Sequence, residues 1–231
     1  MYRNFNIFKK LYIIEQIDDN SRTILFRNVN INLHVVLDDD YFSAFKLKLN
    51  NDEFLLLFSV HLPSRTRMDK SQINAHASVV ADGIKKATAN HNTTKSIIIG
   101  DFNMNPFDDG MTLVTGFNAV MCPNIAKKIR RTYLKKDYDF YYNPMWDIMG
   151  KSSSNVKGTY YYTNTMESLY WNTFDQVLFS GSLLSDIIIN EIKVIDHLGD
   201  TSLTTALSNK PNFKVYSDHL PISISYKEEI L

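Results

Sequence analysis

Cysteine is almost absent from the 231-residue chain: the single Cys122 cannot close an internal disulfide and fits a reducing compartment. An excess of one charge is also missing, because 25 Lys and Arg balance 25 Asp and Glu. That balance argues against a nucleic-acid binder relying on its overall field and leaves only a local patch open. No run approaches the ~18 apolar residues of a membrane helix. The first six residues lead into no signal-peptide core, since residues 11–14 are far too few for one. Internal repeats, low-complexity tracts and linkers are missing as well. These absences together lead us to expect a cytoplasmic protein. What remains is a globular composition, 44% hydrophobic with 14 Phe and 13 Tyr, long enough to bury a real core in one domain spanning 1–231.

Short apolar stretches at 11–15, 23–26, 31–37, 42–49 and 54–60 are separated by turn clusters such as Asp18-Asp19-Asn20-Ser21 and Asn50-Asn51-Asp52. This pattern predicts an antiparallel meander, with His34 on a polar face. The period then changes. Ile73, Ala77, Val80, Ile84 and Ala87 line one face of a helix ending near Asn90-His91-Asn92, with His76 and Asp82 off the stripe and solvated. Further strands are expected at 96–99, 117–121, 158–162, 173–180, 187–194 and 220–226, a short helix at 107–114, and mostly loop at 197–214. Strands in both halves with helices between them predict α/β layers. Residues 126–136 carry Lys127, Lys128, Arg130, Arg131, Lys135 and Lys136. They read as a solvated helix face in preference to a track for a phosphate backbone with Tyr133 and Tyr138 stacking. Tyr160 to Tyr162 read as sheet core in preference to a base platform.

The stretch with the most chemistry is Ser96-Ile97-Ile98-Ile99-Gly100-Asp101-Phe102-Asn103-Met104-Asn105-Pro106. A strand buried on both faces ends in Gly and hands over Asp101 and Asn103, which project to one side while Phe102 turns inward. A carboxylate and an amide at such a mouth suit a hydrated cation or a phosphate oxygen; an Asx turn closing the strand is the plainer alternative. Three other apolar strands also meet polar groups. Residues 54–60 deliver His61. Asp175 lies within Phe174-Asp175-Gln176-Val177, where a buried charge needs a partner such as an imidazole. Ser217-Asp218-His219 leads into the last strand.

Val60-His61-Leu62-Pro63-Ser64, Gly100-Asp101-Phe102-Asn103, Phe174-Asp175-Gln176-Val177 and Ser217-Asp218-His219, in this order, resemble the endonuclease/exonuclease/phosphatase superfamily. The resemblance implies a deoxyribonuclease I-like four-layer sandwich, two mixed β-sheets face to face with helices outside. It implies Mg²⁺-dependent phosphodiester cleavage, with Mn²⁺ as a substitute. Asp218 would be the metal ligand and Asp101 would orient or deprotonate the attacking water. Asn103 would donate to the phosphate, with His61 and Arg65 as further substrate contacts. His219, held by Asp175, would act as base or fixed cation at the scissile phosphate, and His61 could instead protonate the leaving group. Glu15 would brace His61. The substrate would be nucleic acid, with a lipid or small phosphoester as the variant.

One departure stands out. The family's early strand carrying an Asn, and the later strand ending in Gln-Glu whose Glu is the principal metal ligand, have no counterpart. The pattern lacks roughly its first 40 residues, by the usual strand-helix-strand lengths. Met1 is then not the true start, or the missing strands come from another chain, or the chain is a catalytically impaired relative acting as a binding protein.

Overall fold

The computed structural model describes residues 12–15, 21–49, 53–66, 68–150, 155–163 and 168–228. Strands β1 (Tyr12–Glu15) and β2 (Leu25–Asn28) form a hairpin of their own. Strands β3 (Leu33–Asp38), β4 (Phe42–Lys48) and β5 (Phe54–His61) form the expected antiparallel meander. Helix α1 (Lys70–Asn90) then carries the chain back to β6 (Ser96–Asp101), which pairs parallel to β5, the crossover that parallel neighbours require. After it come α2 (Asp109–Thr112), β7 (Ala119–Val120), α3 (Pro123–Ala126), β8 (Arg130–Tyr133), β9 (Lys136–Asp139), β10 (Tyr141–Tyr142) and α4 (Met145–Gly150). The last part holds β11 (Tyr160–Tyr161), β12 (Trp171–Asn172), β13 (Asp175–Ser180), β14 (Ile187–Val194), β15 (His197–Leu198), β16 (Thr201–Ser202) and β17 (Ile222–Glu228).

A seven-stranded mixed sheet, ordered β3-β4-β5-β6-β13-β10-β7, is the centre of the molecule. Period-two alternation sends its side chains into two cores. Phe42, Ala44, Leu56, Phe58 and Ile98 face α1, whose buried stripe is Ala77, Val80, Ile84 and Ala87. Leu55, Ile97, Val177 and Phe179 face the other way, against Ile187, Ile189, Ile192, Ile222 and Ile224 of the antiparallel pair β14–β17. Each fully buried side chain of this kind contributes about 1.5–3 kcal/mol, so β5, β6 and β13 are anchored on both faces. Helix α1 begins with a capping box, Gln72 N–H donating to Asp69 Oδ1 at 2.8 Å and Asp69 N–H to Gln72 Oε1 at 3.0 Å, worth about 1 kcal/mol. The α/β class and mixed sheet follow the expectation. Among the described residues the second strand layer is the pair β14–β17.

Four expectations are corrected. The basic stretch is not a helix: α3 stops at Ala126, and β8 and β9 pair as a hairpin. Its turn places Leu134 and Lys135 at φ 47° and 62°, the paired positive values that close two-residue hairpins; a helix would have set six cations along a few turns. The Tyr160 to Tyr162 stretch is not core, because Tyr162 is 44% exposed. His76 is half-buried, its ring 5.3 Å from Tyr41 edge-on, since an amphipathic stripe widens wherever a neighbouring aromatic overhangs it. The first two strands pair with each other outside the meander.

Candidate active site

The strand register lines up three of the predicted residues. His61 is the last residue of β5, and it sits opposite Asp101, the last residue of β6. Asp101 in turn sits opposite Asp175, the first residue of β13. One row across three neighbouring strands therefore carries imidazole, carboxylate and carboxylate to one edge of the sheet. Gly100 makes this closeness feasible. Its φ is +142° and a Cβ there would strike the Val60 carbonyl oxygen, so a side chain would push β5 and β6 apart at the site.

Beyond the strand, Asp101 closes an Asx turn: Asn103 N–H donates to Oδ1 at 2.8 Å, and Asn103 sits at φ 51°. The Asn103 amide also donates to Asp101 Oδ2 at 3.1 Å and to the Leu62 carbonyl at 2.9 Å. The turn and the polar site are thus the same feature. Asn103 is buried, with its amide spent on orienting Asp101 and tying β6 to the chain after β5; the phosphate contact expected of it is not what its amide does here. Arg65 is similarly engaged. Its Nε donates to the Asn103 carbonyl at 2.7 Å, its guanidinium pairs with Asp108, and it lies 5.2 Å above the Phe174 ring. Arg65 lines the pocket, but as a clamp on the Asn103 to Asp108 loop.

His219 reaches the row from the C-terminal segment. Its Nδ1 lies 2.7 Å from Asp175 Oδ2, the predicted partnership for a carboxylate in apolar surroundings. Tyr160 bridges to the His219 backbone, and its ring lies 4.8 Å from the imidazole. The Asp175 backbone is itself fixed, since Thr159 Oγ1, fully buried, accepts from both Phe174 N–H and Asp175 N–H at 3.1 Å. His61 Nε2 stands 3.9 Å from Asp101 Oδ2, too far for a hydrogen bond and near enough to feel its charge.

The electrostatics follow from this crowding. Burial, and then the Asp175 charge, push the Asp101 pKa up, while the Asn103 N–H, His219 and His61 pull it back without cancelling the rise. Burial disfavours the His219 imidazolium, but the hydrogen bond and charge of Asp175, with Asp101 and Asp218 beyond, outweigh it and raise the pKa. Burial and the nearby Asp218 likewise raise Tyr160.

One open cavity of about 570 Å³ is lined by His61, Arg65, Asp101, Asn103, Asp218 and His219 together with Tyr160, Tyr162 and Asn172, with Asp175 behind His219. Asp101, Asp175 and His219 place possible ligand atoms within 4.8 Å of one another. Asp218 is exposed and lines the same cavity without joining that group. The donor set fits an oxygen-preferring divalent cation: Asp101 is a half-buried carboxylate whose charge is opposed by its neighbour Asp175, a repulsion such an ion relieves. Among the described residues, no glutamate lines the cavity. The side chain of Glu15 lies outside the described residues, so its expected contact with His61 does too.

Sequence reading missed a buried amide layer beneath the site. Asn105, 1% exposed, donates to Asn172 Oδ1 and accepts from Thr173 N–H, both at 2.9 Å. Gln176 donates to the Met104 carbonyl at 2.5 Å and accepts from Asn143 at 2.7 Å. The period of two that selected Asp101 and Asn103 continues to Asn105 and was the available signal.

The mixed sheet and its strand order share the fold of solved endonuclease/exonuclease/phosphatase proteins. Solved structures with this fold include the following three. The human Nocturnin catalytic domain with bound sulfate anion is 14% identical and superposes at TM-score 0.55, over 99% of this chain and 76% of that one. An endonuclease/exonuclease/phosphatase family protein from Bacteroides thetaiotaomicron is 13% identical at TM-score 0.52, over 99% and 79%. D. rerio TDP2 complexed with single strand DNA product is 14% identical at TM-score 0.53, over 98% and 82%. No family profile and no curated protein sequence matches the chain.

Proposed function

We propose that this chain is a Mg²⁺-dependent phosphodiester hydrolase of the nuclease type, working as one domain in the cytoplasm. The observation that carries the reading is the register row His61–Asp101–Asp175 with His219 hydrogen-bonded to its far end. Two of the similar structures hold ligands of matching chemistry by their descriptions, a sulfate anion and a single-strand DNA product, which supports a phosphate-bearing substrate.

Asp218, which lines the same cavity as Asp101, would hold the cation. When bound, it supplies charge neutralisation at a phosphate oxygen; Mn²⁺ would substitute. The remaining chemistry belongs to side chains. Asp101, oriented by Asn103 and raised in pKa, accepts a proton from the attacking water as the water oxygen bonds to phosphorus. The P–O ester bond breaks, and His61, exposed at the cavity rim, supplies the proton to the departing oxygen. His219, whose protonated form Asp175 favours, would fix a phosphate oxygen and stabilise the charge that builds there.

The test is hydrolysis of a short DNA strand by the purified chain. Turnover with Mg²⁺ that disappears on adding chelator is expected. Turnover that persists in chelator would remove the cation from the mechanism, and a folded chain that cleaves no phosphodiester would refute the reading.

A further inference from the structure

The cavity has a wall that the phosphate chemistry does not use. In the β11–β12 hairpin, Tyr160 sits opposite Asn172 and Tyr161 opposite Trp171. The pairing extends one step further, Tyr162 N–H donating to the Tyr170 carbonyl at 2.9 Å. Alternation then divides the three tyrosines. Tyr161 turns away, packing edge-on to Trp171 at 5.1 Å with Lys210 over its ring at 5.0 Å. Tyr160 and Tyr162 face the cavity and line it with Asn172 and Tyr170.

Phe174, Tyr160 and Tyr162 stand nearly parallel. The Phe174 and Tyr160 planes differ by 21° with centroids 5.3 Å apart, and those of Tyr160 and Tyr162 by 20° at 6.3 Å. Phe174 is buried at the inner end of this series, while Tyr162 at the outer end is 44% exposed. The Tyr160 ring lies 4.8 Å from that of His219 and 6.3 Å from that of Tyr162. Tyr162, exposed at the outer end and lining the cavity, leaves surface on which a planar group attached to a phosphate in the cavity would continue the series. Among the described residues, Leu169 is the only aliphatic side chain lining the cavity, so an acyl chain would find little to cover it, and a paired base in a duplex offers no free face.

We propose that Tyr162, backed by Tyr160, is a stacking subsite for an unpaired base, and that the substrate is a single-stranded nucleic acid or another nucleotide phosphodiester. The inference rests on the phosphohydrolase reading for the position of the phosphate, and not for the stacking itself.

The test is equilibrium binding by fluorescence anisotropy in chelator, with a labelled single-stranded DNA and an abasic strand of the same backbone. The wild-type chain should bind the base-bearing strand about tenfold more tightly. Tyr162→Ala should erase the preference and Tyr162→Phe should retain it. A nucleoside monophosphate should compete where a hexose monophosphate does not. Equal affinity for both strands, binding of neither, unaltered preference in Tyr162→Ala, or equal competition by the hexose phosphate would each overturn the subsite. Base preference in a chain that hydrolyses nothing would refute the catalytic reading alone. Hydrolysis without base preference would refute the subsite alone.

Discussion

The two ends of strand β13 differ in kind. At its start, Asp175 joins a concave group in which nearly every charge has a partner: Asp175 with His219, Asp101 with Asn103, Arg65 with Asp108. At its far end, Ser180 pairs with Tyr141, and Phe140 accepts from Gly181 N–H at 3.0 Å. There the β8–β9 hairpin leaves the sheet with Arg130, Arg131, Lys135 and Lys136 exposed and Leu134 81% exposed at its tip. Five residue steps separate the ends, roughly 17 Å at a strand's rise. The densest run of positive charge in the chain thus lies at the pole away from the candidate active site, and a phosphate backbone tracked by it would not thereby reach Asp101. Where a basic segment is anchored decides what it can serve. Its abundance does not.

The largest effect separating the poles should come from the backbone beneath the catalytic one. Gly100→Ala forces a Cβ against the Val60 carbonyl at a positive φ and should cost about 3 kcal/mol of stability, read by denaturant unfolding. A loss below about 1 kcal/mol would show that β5 and β6 can part without penalty.

The next effect is electrostatic. With Asp175 in place, His219 should titrate above the ordinary imidazole value in the metal-free protein, followed by its ring NMR signals. The native charge on His219 then stabilises the fold below the unfolded-state pKa, and this contribution is lost as pH rises through the raised native one. Asp175→Asn removes the hydrogen-bonded carboxylate and should lower the native pKa, leaving burial to dominate. An unmoved titration would make the 2.7 Å contact energetically idle.

A smaller effect is expected at Arg65. Arg65→Ala releases Asn103 and Asp108 from a half-buried guanidinium and should cost about 1–2 kcal/mol. Arg65→Lys should recover only part, because an ammonium cannot span both acceptors in the same geometry. Full recovery would reduce the clamp to a simple charge contact.

Much of the site was legible because the strands that carry it are strongly patterned. Three apolar strands buried on both faces leave few places for polar residues except their ends, so His61, Asp101 and Asp175 could be named without coordinates. Helix α1 was equally plain from Ile73, Ala77, Val80, Ile84 and Ala87. Register was not legible, since pairing distance is set by packing between segments far apart in sequence. The row across β5, β6 and β13 emerges only in three dimensions. Short elements misled for the opposite reason. Arg130-Arg131-Thr132-Tyr133 is too brief for a period to appear, and Tyr160-Tyr161-Tyr162 is apolar on both faces, so nothing in the letters says which ring meets the cavity. Asn103 and Arg65 line the cavity, but a sequence cannot show that their donors are already engaged.

The contrast between the poles is tested most directly by one hydrolysis assay on a single-stranded DNA with Mg²⁺, run on the wild-type chain, Asp101→Ala and the hairpin double variant Lys135→Glu/Lys136→Glu. Loss of a positioned proton acceptor should lower the rate by about 100-fold or more in Asp101→Ala, while the hairpin variant stays within about twofold of wild type, since exposed charges so distant are largely screened. Equal rates for wild type and Asp101→Ala, or a larger loss in the hairpin variant than in Asp101→Ala, would contradict the assignment of catalysis to the strand-end row.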